Sequence, residues 1–428
     1  MPFFSSKWII LFIILAVSLS IMPPLYCAAA NDSALLLSPV FPLQENKKKV
    51  QLYINGHSYH TTLNDLGLHF DFFDLLKESD PFGESASIPT PFAVTPKYSD
   101  RTHYLGASLN MDKWKNTLTS IEQLQENKMH NATLKITGGT RQLTDHTTGI
   151  KIRRAELLSL LNNQISSGKE LSTIQIPADP VKPTITKESL KQIDALIGTF
   201  STQYTVRESD SNRNINIALA TNAIDSTILM PGEEFSFNKH IGNTTKDKGY
   251  QKAGSYLEGE VISSYGGGVC QVSTTLFNAL IKAGIIPTTR SNHSMAINYV
   301  PIGHDAAIAF PFKDLIFKNP YSIPIYIEGI ANNGWLTFKI HSSNTVKASN
   351  IEYRLTSEIL AEIKPNITFI ESTALRPGRI KQLASGKSGY RSATFLETYI
   401  NGKKVAKTRL YTDFYKPRNE IVMRGKQP

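Results

Sequence analysis

Cysteine is nearly absent from this sequence: its 428 residues include two, Cys27 and Cys270. Two cysteines cannot form the disulfide framework on which small secreted domains depend. Charged residues are also few, at 19% of the chain, whereas hydrophobic residues make up 41%. This composition argues against a disordered chain. Because one hydrophobic core seldom serves a chain of this length, we expect several domains.

Two classes of binding site are missing as well. Cys270, His293 and His304 do not have the spacing of zinc ligands, so we expect no metal site, and the sequence indicates no other cofactor. No recognisable nucleic-acid-reading motif occurs, which argues against a nucleic-acid partner.

One long uncharged run, residues 8–21, lies near the N-terminus. It follows Lys7 and leads to the small residues 28–30. This order predicts a signal peptide in residues 1–30. A retained anchor is the alternative, since the run is just long enough to cross a bilayer of roughly 30 Å. Either way we expect an exported protein, located in the cell wall or at the outer face of the cytoplasmic membrane. The membrane is a binding partner only if the N-terminal segment is not cleaved.

Positive charge is concentrated at the C-terminus. Residues 347–428 contain sixteen Lys and Arg against seven Asp and Glu, so nearly all of the formal net charge of +10 lies there. On an exported protein, a basic surface favours an anionic polymer, which in a Gram-positive envelope means teichoic acids and wall carboxylates. The alternative is a solvated basic face that serves solubility.

The first folded segment opens with an alternating strand pattern at residues 50–54 and the hairpin dipeptide Asn55-Gly56. Mixed spacing of leucine and phenylalanine in residues 63–76 predicts one or two short helices. A second strand is expected at residues 132–137. Leucines at helical spacing predict a helix over residues 154–165.

An extended linker follows, with prolines at 177, 180 and 183. The preceding order of parts resembles the peptidoglycan-binding domain found in front of many L,D-transpeptidase and VanW-type domains. The resemblance includes the runs Thr-Gly-Ile-Lys-Ile, Ala-Glu-Leu-Leu and Ile-Pro-Ala between residues 148 and 178. It implies a domain at residues 46–176 that binds peptidoglycan, with a linker at residues 177–195.

The central segment carries the most specific runs. They are Arg-Asn-Ile-Asn-Ile-Ala-Leu-Ala at residues 213–220, Pro-Gly-Glu-Glu-Phe-Ser-Phe-Asn at 231–238 and Gly-Gly-Gly-Val-Cys-Gln-Val-Ser-Thr-Thr-Leu at 266–276. Residues 196–345 resemble a VanW-type domain throughout. The resemblance implies an accessory role in the bacterial envelope, linked by name to glycopeptide resistance clusters, and implies no mechanism.

Cys270 follows three glycines and begins an amphipathic helical pattern that ends at Gly284. A thiol in the first turn of a helix is favoured as a thiolate by the helix dipole, and a thiolate is a nucleophile. His293 is the candidate base, at the head of a strand expected at residues 295–300. Asp305 is the candidate that orients the histidine, with Asp314 as the alternative; both border short strands expected at residues 306–310 and 315–318. Cysteine, histidine and aspartate in this order resemble a papain-like or transglutaminase-like core.

Several neighbours are candidates for substrate binding. The candidates are Gly266, Gly267 and Gly268 through exposed amides, Gln271 and Ser273 as hydrogen-bond donors, and Arg213 as a carboxylate clamp. Three interpretations of the site stay open: thiol catalysis, a binding pocket built from the same residues, and a purely structural cysteine.

Glycines at 378, 386, 389, 402 and 425 divide the last segment into short alternating stretches. With Tyr-Ile-Asn-Gly-Lys-Lys-Val and Asn-Glu-Ile-Val-Met-Arg-Gly, residues 346–428 resemble the five-glycine domain of wall-associated surface proteins. This implies an elongated all-β domain with affinity for N-acetylglucosamine polymers.

The predicted fold class is therefore multidomain α+β. An N-terminal α+β domain precedes a central α+β domain, whose cysteine-bearing helix packs on a mostly antiparallel sheet, and an all-β domain ends the chain. Two functions follow. The first is an exported protein that binds peptidoglycan and is accessory to wall maintenance or glycopeptide resistance. The second is a cysteine-dependent peptidase, amidase or transpeptidase acting on peptidoglycan stem peptides.

Overall fold

A computed structural model describes residues 33–38, 47–75, 102–166, 171–257, 260–346 and 350–426. The export segment expected at residues 1–30 lies outside the described residues. Among the residues that are described, no helix combines the length and apolar character needed to span a membrane. The chain divides into two compact units, residues 1–124 with 150–179 and residues 125–149 with 180–428.

The elements up to residue 191 are short. In chain order they are strands β1 Ser33–Ser38, β2 Lys49–Ile54, β3 His57–Thr62, β4 Leu68–Leu75 and β5 Thr102–Asn110, helix α1 Met111–Glu126, strands β6 Thr133–Thr137, β7 Thr140–Thr144 and β8 Gly149–Ile152, helix α2 Arg154–Ser166, strands β9 Thr173–Gln175 and β10 Ala178–Val181, and helix α3 Lys187–Lys191.

The remaining elements run to residue 425. They are strand β11 Ala195–Gln203, a 3-10 turn Glu208–Asp210, helix α4 Ser211–Ile224, strands β12 Thr227–Leu229 and β13 Glu234–Ser236, helix α5 Phe237–Ile241, a 3-10 turn Lys246–Lys248, strands β14 Lys252–Leu257 and β15 Glu260–Tyr265, helix α6 Val269–Lys282, and strands β16 Ile316–Lys318, β17 Ile325–Asn332, β18 Trp335–Ser342, β19 Ile351–Ile363, β20 Ile367–Ser372, β21 Ile380–Ala384, β22 Gly389–Ile400, β23 Lys403–Tyr415 and β24 Glu420–Gly425.

Local sequence signals predicted part of the first unit correctly. β2 turns into β3 at Asn55-Gly56, where both residues have positive φ, and α2 occupies the predicted helix. The helices expected in residues 63–76 are wrong, because residues 68–75 form β4, which pairs along its whole length with β5. Pairing with β5, which is distant in sequence, determines that this segment is a strand. The spacing of its apolar residues carries no information about that pairing.

Helix α1 was not predicted from the sequence. Its buried residues Trp114, Leu118 and Ile121 follow helical spacing, and the Asn110 side chain accepts a hydrogen bond from the Lys113 N–H at 3.0 Å. An Asn cap before this spacing is the signal that identifies the helix. The core of the unit combines these side chains with those of β2, β9 and α2.

The centre of the second unit is a four-stranded antiparallel sheet in the order β11-β18-β17-β12. Helix α6 packs on this sheet and contacts α4, and buried side chains of all three form one core. The predicted cysteine-bearing helix on a mostly antiparallel sheet is confirmed. The hairpin β6–β7 also lies in this unit, where Leu134 and Ile136 pack with Tyr326.

The C-terminal part of the second unit is all-β, as predicted. Its strands form two sheets, in the orders β19-β22-β23 and β20-β24-β21. Leu396 of β22 belongs to the same core as α6, and Tyr353 and Tyr411 pack against that core. The central and C-terminal parts of this unit therefore share buried surface.

Candidate active site

Helix α6 presents Cys270 at its second residue. Gly268 is the N-cap, with φ of 106°, and a Cβ there would lie 2.9 Å from Cγ of Arg213 on α4. Glycine is required for both reasons, because an L side chain disfavours this φ and would meet the neighbouring helix. The predicted position of Cys270 in the first turn is confirmed.

His293 and Asp305 lie on irregular segments. No strand forms at residues 295–300, and residues 306–310 make only an isolated bridge between Ala309 and Lys313, so both predicted strands are wrong. The strand expected at 315–318 is present as β16. In the second segment the Ala306 N–H and carbonyl are instead bound by side chains of α6, Ser273 and Thr274, which hydrophobic alternation cannot reveal.

The three candidate catalytic residues meet in space. Asp305 Oδ2 lies 2.6 Å from His293 Nδ1 and accepts the His293 backbone N–H at 2.7 Å. The Cys270 thiol interacts with the same imidazole, and both side chains line one cavity. Cys270 is a free, partly exposed cysteine, and its Sγ lies 3.4 Å from the Ile308 carbonyl oxygen. Thiol, imidazole and carboxylate are therefore neighbours in this order.

The electrostatics of these three groups favour a charged pair of thiolate and imidazolium. Burial raises the pKa of the Cys270 thiol, but the hydrogen bond from His293 and the charge of that imidazolium outweigh it, and the net pKa is lowered. Burial lowers the pKa of His293, but hydrogen bonds with Asp305 and Cys270 raise it to about 9. Burial likewise opposes ionisation of Asp305, yet contact with His293 and Arg290 holds its pKa at about 2. These shifts favour a Cys270 thiolate paired with a His293 imidazolium, beside the ionised carboxylate of Asp305.

Alkylation of the thiol tests this charge state. In a Cys27→Ser background, the rate of iodoacetamide alkylation should stay high at neutral pH and fall only as pH drops through the lowered thiol pKa. In His293→Ala the contacts with His293 that lower the thiol pKa are lost while burial and the Ile308 contact remain, so the pKa rises and the rate at pH 7 drops on the order of 10-fold. Rates measured between pH 5 and 10 give both profiles. A wild-type profile with an ordinary thiol pKa contradicts the ion pair.

Asp314, the alternative orienting residue, lies elsewhere. Its carboxylate accepts hydrogen bonds from Ser236 Oγ at 2.6 Å and from the Asn238 N–H at 2.9 Å, at the start of α5. It therefore stabilises a helix N-terminus. Asp305 occupies the position next to His293.

A cavity of about 380 Å³ opens beside the thiol. Six of the residues singled out from the sequence line it together, namely Arg213, Gly266, Gly268, Cys270, Gln271 and His293. Further lining residues are Asn238, Gly242, Asn243, Thr244, Gly254, Ile262, Ser264, Tyr265, Val269, Tyr299, Ile308, Ala309 and Phe310.

The other predicted binding residues serve the framework. Gln271 is buried, accepts from Arg213 Nη2 at 2.6 Å, and donates to Thr202 Oγ1 and the Gln203 carbonyl. Ser273 is fully buried and donates to the Ala306 carbonyl at 2.6 Å. A Cβ on Gly267 would lie 2.6 Å from the Ala253 carbonyl oxygen, so this glycine permits close backbone packing. Gln271 holds Arg213 in place rather than standing free.

Sequence reasoning missed two aromatic residues of the cavity. Tyr299 lines it, with its ring edge-on to His293 at 6.4 Å between centroids, and Phe310 lines its rim and is about half exposed. Both lie in segments that the sequence predicted as strands, and strand alternation carries no information about the lining of a cavity. Within the described residues, no group of three or more His, Cys, Asp or Glu side chains is arranged to hold a metal ion.

Three family models match the chain in the predicted order. Residues 59–172 match the peptidoglycan binding domain, residues 212–341 match VanW like protein, and residues 356–427 match the G5 domain. The chain therefore contains a VanW-like domain between a peptidoglycan-binding domain and a G5 domain. The VanW-like domain contains Cys270, His293 and Asp305, and the set of domains supports association with the cell wall.

Two relatives share the VanW-like region. YoaR of Bacillus subtilis is 35% identical over 201 residues, which cover 46% of this chain and 66% of the relative. The vancomycin B-type resistance protein VanW of Enterococcus faecalis is 30% identical over 113 residues, which cover 25% of this chain and 41% of the relative. The chain thus matches just under two thirds of the first relative and less than half of the second.

Two solved structures are similar to the C-terminal part. The IgA1 protease G5 domain is 20% identical, the match covers 19% of this chain and 98% of that chain, and the TM-score is 0.14. HP0197-G5 is 20% identical, the match covers 18% of this chain and 95% of that chain, and the TM-score is 0.13.

Proposed function

We propose that this protein is exported, binds peptidoglycan, and catalyses cysteine-dependent acyl transfer at amide bonds of wall stem peptides through its VanW-like domain. The observation that carries the proposal is that Cys270, His293 and Asp305 lie next to one another beside an open cavity. A nucleophile, a proton carrier and an orienting carboxylate in this arrangement are the parts of a thiol acyl-transfer centre. Peptidase, amidase and transpeptidase reactions all share its first half.

The proposed reaction has two steps. The Cys270 thiolate attacks the amide carbonyl carbon, a C–S bond forms, and the C–N bond breaks as His293 donates its proton to the leaving amine. Water or a second amine then attacks the thioester while His293 accepts the proton, and the thiolate leaves. The positive end of the α6 dipole stabilises the oxyanion in each step. Asp305 keeps the imidazole oriented and supports its positive charge.

Arg213 favours a substrate that carries a carboxylate. One of its terminal nitrogens donates to Gln271, which fixes the guanidinium at the cavity wall, and the cavity also contains the imidazolium of His293. Among the described residues that line the cavity there is no Asp or Glu, and Arg213 adds a positive charge beside the Cys270–His293 pair. Stem peptides end in carboxylates, and a guanidinium binds them through paired hydrogen bonds. The basic C-terminal domain adds attraction to the wall's anionic polymers, teichoic acids included.

A binding role without turnover is the second candidate. The observation that favours it is the similarity to the vancomycin B-type resistance protein VanW. In that role the same cavity recognises a stem peptide, and the protein is accessory to wall maintenance or glycopeptide resistance.

Digestion of purified peptidoglycan distinguishes the two roles. Cys27→Ser protein is incubated with sacculi and soluble muropeptides, before and after blocking Cys270 with iodoacetamide, and fragments are analysed by mass spectrometry. The proposal expects new amide-cleaved or amide-exchanged products with the free thiol and none with the blocked thiol. Sedimentation with sacculi is measured in parallel. Binding to sacculi with unchanged fragments would overturn acyl transfer and leave the binding role.

A further inference from the structure

The Asp305 carboxylate is hydrogen-bonded on both oxygens. Oδ2 accepts twice from His293, whereas Oδ1 accepts from Arg290 Nη2 at 3.0 Å and from the Tyr415 hydroxyl at 2.5 Å. Tyr415 ends strand β23 and lies within the residues matched by the G5 domain. A residue of the wall-associated domain thus binds the orienting carboxylate of the VanW-like domain.

Tyr415 is itself tightly held. Its side chain is 1% exposed, and its hydroxyl accepts the Gly303 backbone N–H at 2.9 Å while donating to Asp305. The Gly303 carbonyl in turn accepts from Thr394 Oγ1 of β22 at 3.3 Å. The turn that leads into Asp305 therefore rests on two strands of the G5 domain.

Arg290 reinforces the same contact. Its Nη1 donates to Asp413 Oδ1 of β23 at 2.6 Å, and its guanidinium lies over the rings of Tyr411, also on β23, and Phe277 of α6. Arg290 is 1% exposed. A buried cation between two carboxylates fixes the positions of both, because any displacement leaves a charge without a partner.

The His293 segment docks on the end of the same strand. The Lys416 N–H donates to the Ser294 carbonyl at 2.7 Å, and Asn292 Nδ2 donates to the Phe414 carbonyl at 2.8 Å. Both sequence neighbours of His293 are therefore anchored by residues that adjoin Tyr415. Two of the three triad residues owe their placement to one short stretch of the G5 domain.

We propose that Tyr415 is a positioning residue of the thiol centre and that the G5 domain is an integral part of that centre. The inference deepens the proposed function, on which its catalytic meaning rests. With Oδ1 held by Tyr415 and Arg290, Oδ2 stays directed at the imidazole and His293 stays directed at Cys270. The domain that associates with the wall and the residues that keep the thiol reactive thereby belong to one folded unit.

Tyr415→Phe tests the role, because it removes one hydroxyl and keeps the ring. Tyr411→Phe is the matched control: it lies on the same strand, and its buried hydroxyl has no hydrogen-bond partner among the described residues. Both are made in the Cys27→Ser background. For Tyr415→Phe we expect the alkylation profile of Cys270 to move to higher pH, the rate at pH 6 to fall roughly 3-fold, and kcat to fall roughly 10- to 100-fold with little change in KM. Tyr411→Phe should match wild type in each.

The alkylation readout separates this inference from the proposed function. A shifted profile in Tyr415→Phe supports positioning even if wild-type protein turns over no muropeptide, in which case acyl transfer alone fails. Superimposable profiles of folded Tyr415→Phe and wild type would overturn the inference. Should Tyr415→Phe not fold, Asp413→Asn, which weakens the Arg290 contact, is expected to move the profile in the same direction, and an unchanged profile there counts against it.

Discussion

Cys270→Ala is expected to lower the turnover of muropeptides on the order of 10⁶-fold, since loss of the nucleophile leaves only binding and oxyanion stabilisation. Binding to sacculi should be unchanged, because Arg213 and the G5 domain remain intact. Turnover is measured by separating products after incubation with soluble muropeptides, and binding by sedimentation with sacculi.

Ser273→Ala is the matched control for that variant. It lies on the same helix, three residues further on, and its hydroxyl donates to the Ala306 carbonyl, which also accepts from Thr274. We expect Ser273→Ala to cost about 1 kcal/mol of unfolding free energy and to leave turnover near wild type. Equal turnover by Cys270→Ala and wild type would exclude the thiol from the reaction.

Arg290→Met is expected to lower the unfolding free energy of the second unit by about 3–5 kcal/mol. The methionine keeps much of the side-chain volume but removes the Arg290 cation from buried Asp413 and from Asp305, which keeps its contact with His293. Burial already raises the pKa of Asp413, and Arg290 opposes that rise, so loss of the arginine drives this carboxyl towards its neutral form. Denaturant unfolding followed by circular dichroism at pH 7 gives the loss.

Arg207→Met is the matched control for stability. Arg207 also forms an ion pair, with Asp210 at 2.9 Å, but its side chain is 72% exposed. Water already solvates such a pair, so the expected loss is below about 1 kcal/mol. Similar losses in the two variants would show that the buried network does not stabilise the interface between the VanW-like and G5 parts.

Local patterns predicted much of the fold and the nucleophile. The Asn55-Gly56 turn and helices α2 and α6 depend on residues adjacent in sequence, and the structure contains them. The errors share a cause. Residues 68–75 form a strand because β5 lies beside them. The His293 loop is held by the Asp305 carboxylate, which accepts the His293 N–H, and by the Lys416 N–H, which donates to the Ser294 carbonyl. None of these partners is adjacent in sequence.

By itself, the sequence determined the order of the three domains and the place of Cys270 at the start of a helix, because domain signatures, glycine turns and helical spacing are local properties. Only the tertiary structure decided between Asp305 and Asp314 and brought Tyr415 to the site. Both aspartates follow His293 within a short distance along the chain, and only packing places one beside the imidazole and the other at a helix end. Tyr415 lies more than a hundred residues from Asp305, a separation that only the docking of β23 closes.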